Sequence, residues 1–142
     1  MKPIIYLTLA IITFFTGCTT IEKKQSSDSE LHGKLVGTWE GETIRKDGNK
    51  KEWVQVRFPD GRYQITFKFF EGDFLSWIES ERGTWWIENG RFCEQFSSHG
   101  STPFVYELEW LDDNCIKMKS IKRDPSGDEY EGYTFTECRK LM

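Results

Sequence analysis

The stretch Phe58-Pro59-Asp60-Gly61-Arg62-Tyr63-Gln64-Ile65-Thr66-Phe67-Lys68-Phe69-Phe70 decides the fold. A Pro-Asp-Gly turn opens it, and strict alternation follows. Tyr63, Ile65, Phe67 and Phe69 fall on one side, and Arg62, Gln64, Thr66 and Lys68 on the other. Side chains of a strand change face at each residue, so this is a strand with one buried and one wet face. The pattern recurs on both sides of it. Before it, Thr38–Arg45 and Glu52–Phe58 read as strands around an Asp47-Gly48-Asn49 turn, with Trp53 on the outward face and Val54, Val56 and Phe58 on the other. After it, Phe74–Ser80 and Gly83–Glu88 read as two strands with Glu81-Arg82 between them.

Asn89-Gly90 is a strong hairpin signal, because both central positions of a type I′ turn need positive φ. It sets Ile87 opposite Phe92 and Trp85 opposite Glu94. Phe104, Tyr106, Leu108 and Trp110 line one face of a further strand, Ile116 and Met118 lie in the next, and Glu129–Cys138 closes the series with Tyr133 and Phe135 inward. The result is about nine short strands joined by tight turns, with no helical periodicity of useful length. At most a short helical turn precedes Gly37. Closing such a meander removes its exposed edges. The expected fold is all-β: a small antiparallel up-and-down β-barrel of about eight to ten strands.

The chain has 142 residues, 15% of them aromatic and 30% charged, with net charge −4. That allows one domain after a leader. Spread Lys and Arg with a mild acid excess argue against nucleic acid. Met1-Lys2 precedes an apolar run ending in Phe15-Thr16-Gly17-Cys18. The run is too short for a stable membrane span and has the form of a secretory signal peptide. Phe15–Cys18 resembles the bacterial lipobox. The resemblance implies residues 1–17 as a lipoprotein signal peptide, lipid on Cys18, and palmitate or a similar acyl chain as the anchor. Residues 18–33 are then a polar tether, and residues 34–142 the barrel. Thr19, which is not Asp, fits outer-membrane sorting, with the chain facing periplasm or cell surface.

The folded part resembles the small lipocalin-like (calycin) proteins found as bacterial lipoproteins. Gly37-Thr38-Trp39, Phe58–Tyr63, Gly83-Thr84-Trp85 and Tyr106–Leu111 carry the likeness. It implies that Trp39 closes the barrel floor, with Arg139 stacked on it.

Cys18 aside, Cys93, Cys115 and Cys138 remain in an oxidising compartment. The strands of Cys115 and Cys138 are neighbours, with Cys115 opposite about Thr136, so a Cys115–Cys138 bridge is preferred. A bridge using Cys93, which a register shift would permit, or three free thiols stay open. Two histidines, His32 and His99, without Cys-x-x-Cys spacing give no metal site. Ser97, Ser98, His99 and Ser101 form a loop composition and not a nucleophile elbow. No cofactor and no enzymatic activity are expected.

Tyr63, Phe67, Trp85, Phe92, Tyr106 and Trp110, with Phe96 and Phe135, point inward as core or cavity lining. Glu94 falls on the inward face opposite Trp85 and must be paired, wet or protonated there. Two functions follow. The first is an envelope lipoprotein whose barrel, through Tyr63, Phe67, Trp85, Phe92, Glu94, Tyr106 and Trp110, binds a small apolar or amphipathic molecule. The second is a filled barrel that meets another envelope protein, as an inhibitor or immunity factor would, through outward Trp53, Phe70, Trp77 and Trp86.

Overall fold

A computed structural model describes residues 27–98, 100, 102–121 and 132–141. The leader, Cys18, most of the tether, His99 and the Asp124–Gly127 turn lie outside these residues. One helix, α1 (Asp28–Leu35), precedes eight strands: β1 (Gly37–Ile44), β2 (Lys50–Arg57), β3 (Arg62–Glu71), β4 (Phe74–Glu88), β5 (Arg91–Phe96), β6 (Phe104–Trp110), β7 (Cys115–Ser120) and β8 (Thr134–Arg139). Each strand pairs with the next, and β8 returns to β1, so the sheet closes into an up-and-down antiparallel barrel. This is the all-β barrel expected of the lipocalin-like class, with eight strands.

The Asn89-Gly90 turn has φ of 54° and 74°, as a type I′ turn requires. It sets Ile87 opposite Phe92 and Trp85 opposite Glu94. Tyr63 and Ile65 of β3 are buried, and Phe67 and Phe69 are half-buried nearer the mouth. Leu35, Trp39, Tyr63, Trp85, Phe92, Tyr106, Ile116 and Met118 form the centre of the core. Each such side chain contributes about 1.5–3 kcal/mol on burial.

Four features differ from the sequence reading. First, Phe74–Ser80 and Gly83–Glu88 are one continuous strand, because Ser80, Glu81 and Arg82 pair directly with Thr66, Ile65 and Gln64. Second, the faces of β2 are reversed. Trp53, Gln55 and Arg57 point inward and are buried, while Val54 and Val56 face out. The register explains this: Gln55 lies between Trp39 and Ile65, both inward residues. Gly41 makes room for Trp53, since a Cβ there would sit 2.7 Å from the Thr136 carbonyl oxygen and run into the indole. Third, Cys115 lies opposite Cys138 itself and Lys117 opposite Thr136. The Cys115 and Cys138 α-carbons are 4.1 Å apart in a disulfide, and Cys93 is a buried thiol.

Fourth, α1 (Asp28–Leu35) begins inside the stretch assigned to the tether, whose residues 28–33 are helical. Ser27 caps it by accepting from the Glu30 amide at 3.2 Å, and Asp28 and Glu30 complement the helix dipole in the first turn. Leu31 and Leu35 bury its inner side. The Leu35 carbonyl accepts the Trp39 indole N–H at 2.8 Å, and His32 stacks on Trp85 at 4.3 Å. Arg139 donates to the Lys34 and Val36 carbonyls and lies 4.6 Å over the Trp39 ring. The Asp28 carboxylate accepts from the Asn89 and Gly90 amides. Together these contacts close the floor, which also carries the β2–β3, β4–β5 and β6–β7 turns. The β1–β2 and β3–β4 turns lie at the opposite end, the mouth, where Asn49 accepts from the Gly72 amide at 3.3 Å.

Candidate functional site

Two places differ from the ordinary core: a crevice under the mouth and the hairpin that rises beside it. The crevice has a volume of about 30 Å³, room for about two water molecules. Among the described residues, the core below the crevice is filled by its own side chains. Of the seven residues expected to line a cavity, Phe67, Glu94 and Tyr106 meet at the crevice. Tyr63, Trp85 and Phe92 are core residues below it. Trp110 packs near the floor, its ring 6.3 Å from that of Trp39.

The interior polar groups form pairs across the barrel. The Arg57 Nη2 donates to Glu137 Oε2 at 2.5 Å, with both side chains almost wholly buried. Trp53 Nε1 donates to Glu137 Oε1 at 2.9 Å. Gln55 Nε2 donates to Glu94 Oε2 at 2.8 Å. Glu94 is 7% exposed, so it is a core carboxylate and not a rim one. The Arg57 guanidinium also lies over Phe92 at 4.4 Å and Trp39 at 5.5 Å, a favourable arrangement for a cation excluded from water. Removing one partner of such a buried ion pair costs about 3–5 kcal/mol, because the other charge is left stranded. Burial, followed by the nearby Glu94 and Glu81 carboxylates, raises the Tyr63 phenol above its ordinary range.

Arg57 and Glu137 were not singled out from the sequence. They lie 80 residues apart in the chain, and nothing local to either marks the pairing. Lys51 also lines the crevice, and nothing in its local sequence marks that position.

The β3–β4 hairpin is the second unusual place. The β4–β5 ladder begins at Gly83, so Phe74–Glu81 has β3 on one side and, among the described residues, no strand on the other. Every residue from Phe74 to Ser80 is exposed. Phe74 is 81% exposed, Ile78 56%, Leu75 49% and Trp77 45%. Trp77 stacks on Phe69 at 4.3 Å, which stiffens the arm where it leaves the barrel. Trp77 thus stays at the surface as expected, whereas Trp53 does not. Elsewhere, an open groove of about 510 Å³ lies outside the wall over β1–β3, lined by Glu40, Glu42, Glu52, Val54, Thr66 and Lys68 among others. Its mixed charge and open form give it no defined chemistry. No group of three metal-ligating side chains occurs among the described residues.

No protein-family model matches the chain. No curated protein matches it either. Among solved structures, it is similar to a de novo designed fluorescence-activating β-barrel, at 20% identity and TM-score 0.49 over 81% of this chain and 100% of the design. A redesigned β-barrel is similar at 17% identity and TM-score 0.49, over 78% of this chain and 95% of the other. A likeness of this degree carries no function across.

Proposed function

We propose that this chain is a membrane-tethered envelope protein whose filled barrel holds out the β3–β4 arm to a protein partner. The observation that carries the reading is the unbroken exposure of Phe74–Ser80 on a strand with one open edge. An open edge presents unpaired N–H and C=O groups, and soluble proteins normally shield such edges with charge, Pro or a cover. Here Phe74, Leu75, Trp77 and Ile78 flank it on both faces. Main-chain pairing plus alternate apolar side chains is the chemistry of strand addition. The partner is thus a protein that supplies an extended apolar segment, and no catalysis is required of the barrel.

Lipid on Cys18 would place the membrane at the floor end, because α1 is bound there. Residues 19–27 span at most about 30 Å, whereas β4 alone runs about 50 Å along its length. The arm then points away from the anchoring bilayer, toward periplasm or cell surface. The small-ligand reading has less room, since the interior crevice holds only about 30 Å³. A ligand would have to enter at the mouth.

A photoreactive residue at Ile78, with one at Glu109 as control, tests the proposal in the native host. The expected result is a discrete membrane-fraction adduct from position 78 only, abolished by Phe74→Ser and reproduced with the purified partner. An adduct of two copies of this chain, or equal labelling from Glu109, would contradict it.

A further inference from the structure

The open edge of β4 carries a charge pattern that selects the strand able to pair with it. The arm from Glu71 to Glu81 holds four carboxylates, Glu71, Asp73, Glu79 and Glu81, and no Lys or Arg. Two contacts fix which way its backbone points. The Ser97 amide donates to the Arg82 carbonyl at 2.8 Å, and the Trp85 amide to the Gly61 carbonyl at 2.7 Å. Arg82 thus turns its main chain toward β5, and Trp85 toward the start of β3. These directions alternate along a strand, and the β3–β4 ladder is regular from Thr84 to Trp77. Ser80 and Ile78 therefore present their N–H and C=O groups to the open edge. The side chains sort by face in the same way. Trp77, Glu79 and Glu81 lie on the face of their β3 partners Phe69, Phe67 and Ile65, with no cation opposite either carboxylate. Ile78, Ser80 and Arg82 lie on the other face, with Lys68, Thr66 and Gln64. One face of the arm is acidic, and the other is apolar and basic.

Resting on the strand-addition reading, we propose that the partner segment is an amphipathic cationic strand, with basic residues at every second position and apolar residues between them. The added strand lies antiparallel to β4 and continues the line of β5 beyond Ser97. Its residues opposite Trp77 and Glu79 then form non-hydrogen-bonded pairs, in which the α-carbons stand about 4.5 Å apart and side chains meet most closely. Glu79 selects a cation at that place. Trp77 favours a second one, because its indole stacks on Phe69 by one face and offers the other to a positive charge. On the reverse face, Ile78 selects an apolar residue. A basic residue there would stand beside Lys68, and an acidic one opposite Glu79 would meet a like charge. The two faces thus fix the register, since a slip by one residue puts every side chain of the partner on the wrong side. Glu81 takes a smaller part, because its carboxylate already accepts the Ser98 hydroxyl at 2.8 Å. The four carboxylates together also speed the encounter with a cationic chain.

The test titrates the full-length chain, in a maltoside detergent at low ionic strength, into three fluorescein-labelled heptapeptides. The first alternates Lys and Val. The second has Gln in place of Lys. The third has the composition of the first with Lys and Val gathered in blocks. Anisotropy reads the affinity, and amide hydrogen exchange reads the place. The alternating Lys–Val peptide is expected to bind about tenfold more tightly than either of the others, to lose that advantage as salt is raised, and to slow exchange at Ile78 and Ser80. Glu79→Gln is expected to weaken its binding about threefold and Glu79→Lys about tenfold, with Glu109→Lys, on the far wall, leaving it unchanged. A Glu79→Lys protein that binds this peptide as tightly as the wild type would overturn the proposal. Equal binding of the Lys and Gln peptides, with Ile78 and Ser80 protected by both, would overturn the charge assignment and leave strand addition standing. Failure of every peptide to slow those two amides would overturn both.

Discussion

Tyr63 shows how much one side chain depends on its surroundings. It is 1% exposed, and its hydroxyl makes no hydrogen bond to protein among the described residues. Burial first, then Glu94 and Glu81, hold the phenol neutral well above its ordinary pKa. A group whose folded pKa is raised contributes its full stability below the unfolded pKa, about 10 for tyrosine, and loses it as pH climbs above that. The wild type is expected to lose stability in urea above about pH 10, where the unfolded chain ionises Tyr63 and the folded one cannot. Tyr63→Phe is expected to flatten that alkaline limb and to leave stability at pH 7 equal or higher, since an unpaired buried hydroxyl costs about 1–3 kcal/mol. A loss of more than about 1 kcal/mol at pH 7 would mean that the hydroxyl is bonded in solution.

At the scale of elements, β3, β4 and β2 show three degrees of legibility. The register of β3 and of the β4–β5 hairpin is visible in Tyr63–Phe69 and in Asn89-Gly90, because local alternation and turn chemistry act there without competition. The length of β4 is not visible. Glu81-Arg82 reads as a connection because both faces of the arm are wet, so alternation has no buried face to record. The arm should add little to the stability of the barrel, as its side chains stay exposed. Phe74→Ser with Ile78→Ser is expected to change the urea unfolding free energy by no more than about 0.5 kcal/mol while abolishing partner capture. A large loss would make the arm part of the core. The face of β2 could not be read correctly either. Trp53-Val54-Gln55-Val56-Arg57 offers its valines as the apolar side, yet its polar side faces inward. Arg57 is acceptable there only because Glu137 arrives from β8, 80 residues along the chain, and Gln55 because Glu94 arrives from β5.

For the whole molecule, closure accounts for most of the arrangement. Eight strands enclose about as much space as their inward side chains fill, and Trp53, Trp85, Phe92 and Tyr106 with the Arg57–Glu137 pair fill it. Cys115–Cys138 ties β7 to β8 beside the seam where β8 meets β1, and α1 closes the floor with Leu35 and His32. A barrel completed in this way has little interior left to offer. What it offers is at the mouth: the arm of β4 that continues past its last partner on β5. The sequence shows the rings that fill the barrel but not that they fill it, because a filled interior and a lined cavity share the same period-two pattern.

Residue-resolved amide hydrogen exchange, on the purified monomeric chain and again with its captured partner, tests the arm most directly. The account expects slow exchange at Gly83 and Thr84, which have strand partners on both edges, and at Trp85, whose amide is held by the Gly61 carbonyl, and alternating fast and slow amides from Leu75 to Glu81, with the fast set becoming slow on partner binding. Uniform protection of Leu75–Glu81 in the monomer, or a fast set left unchanged in the complex, would contradict it.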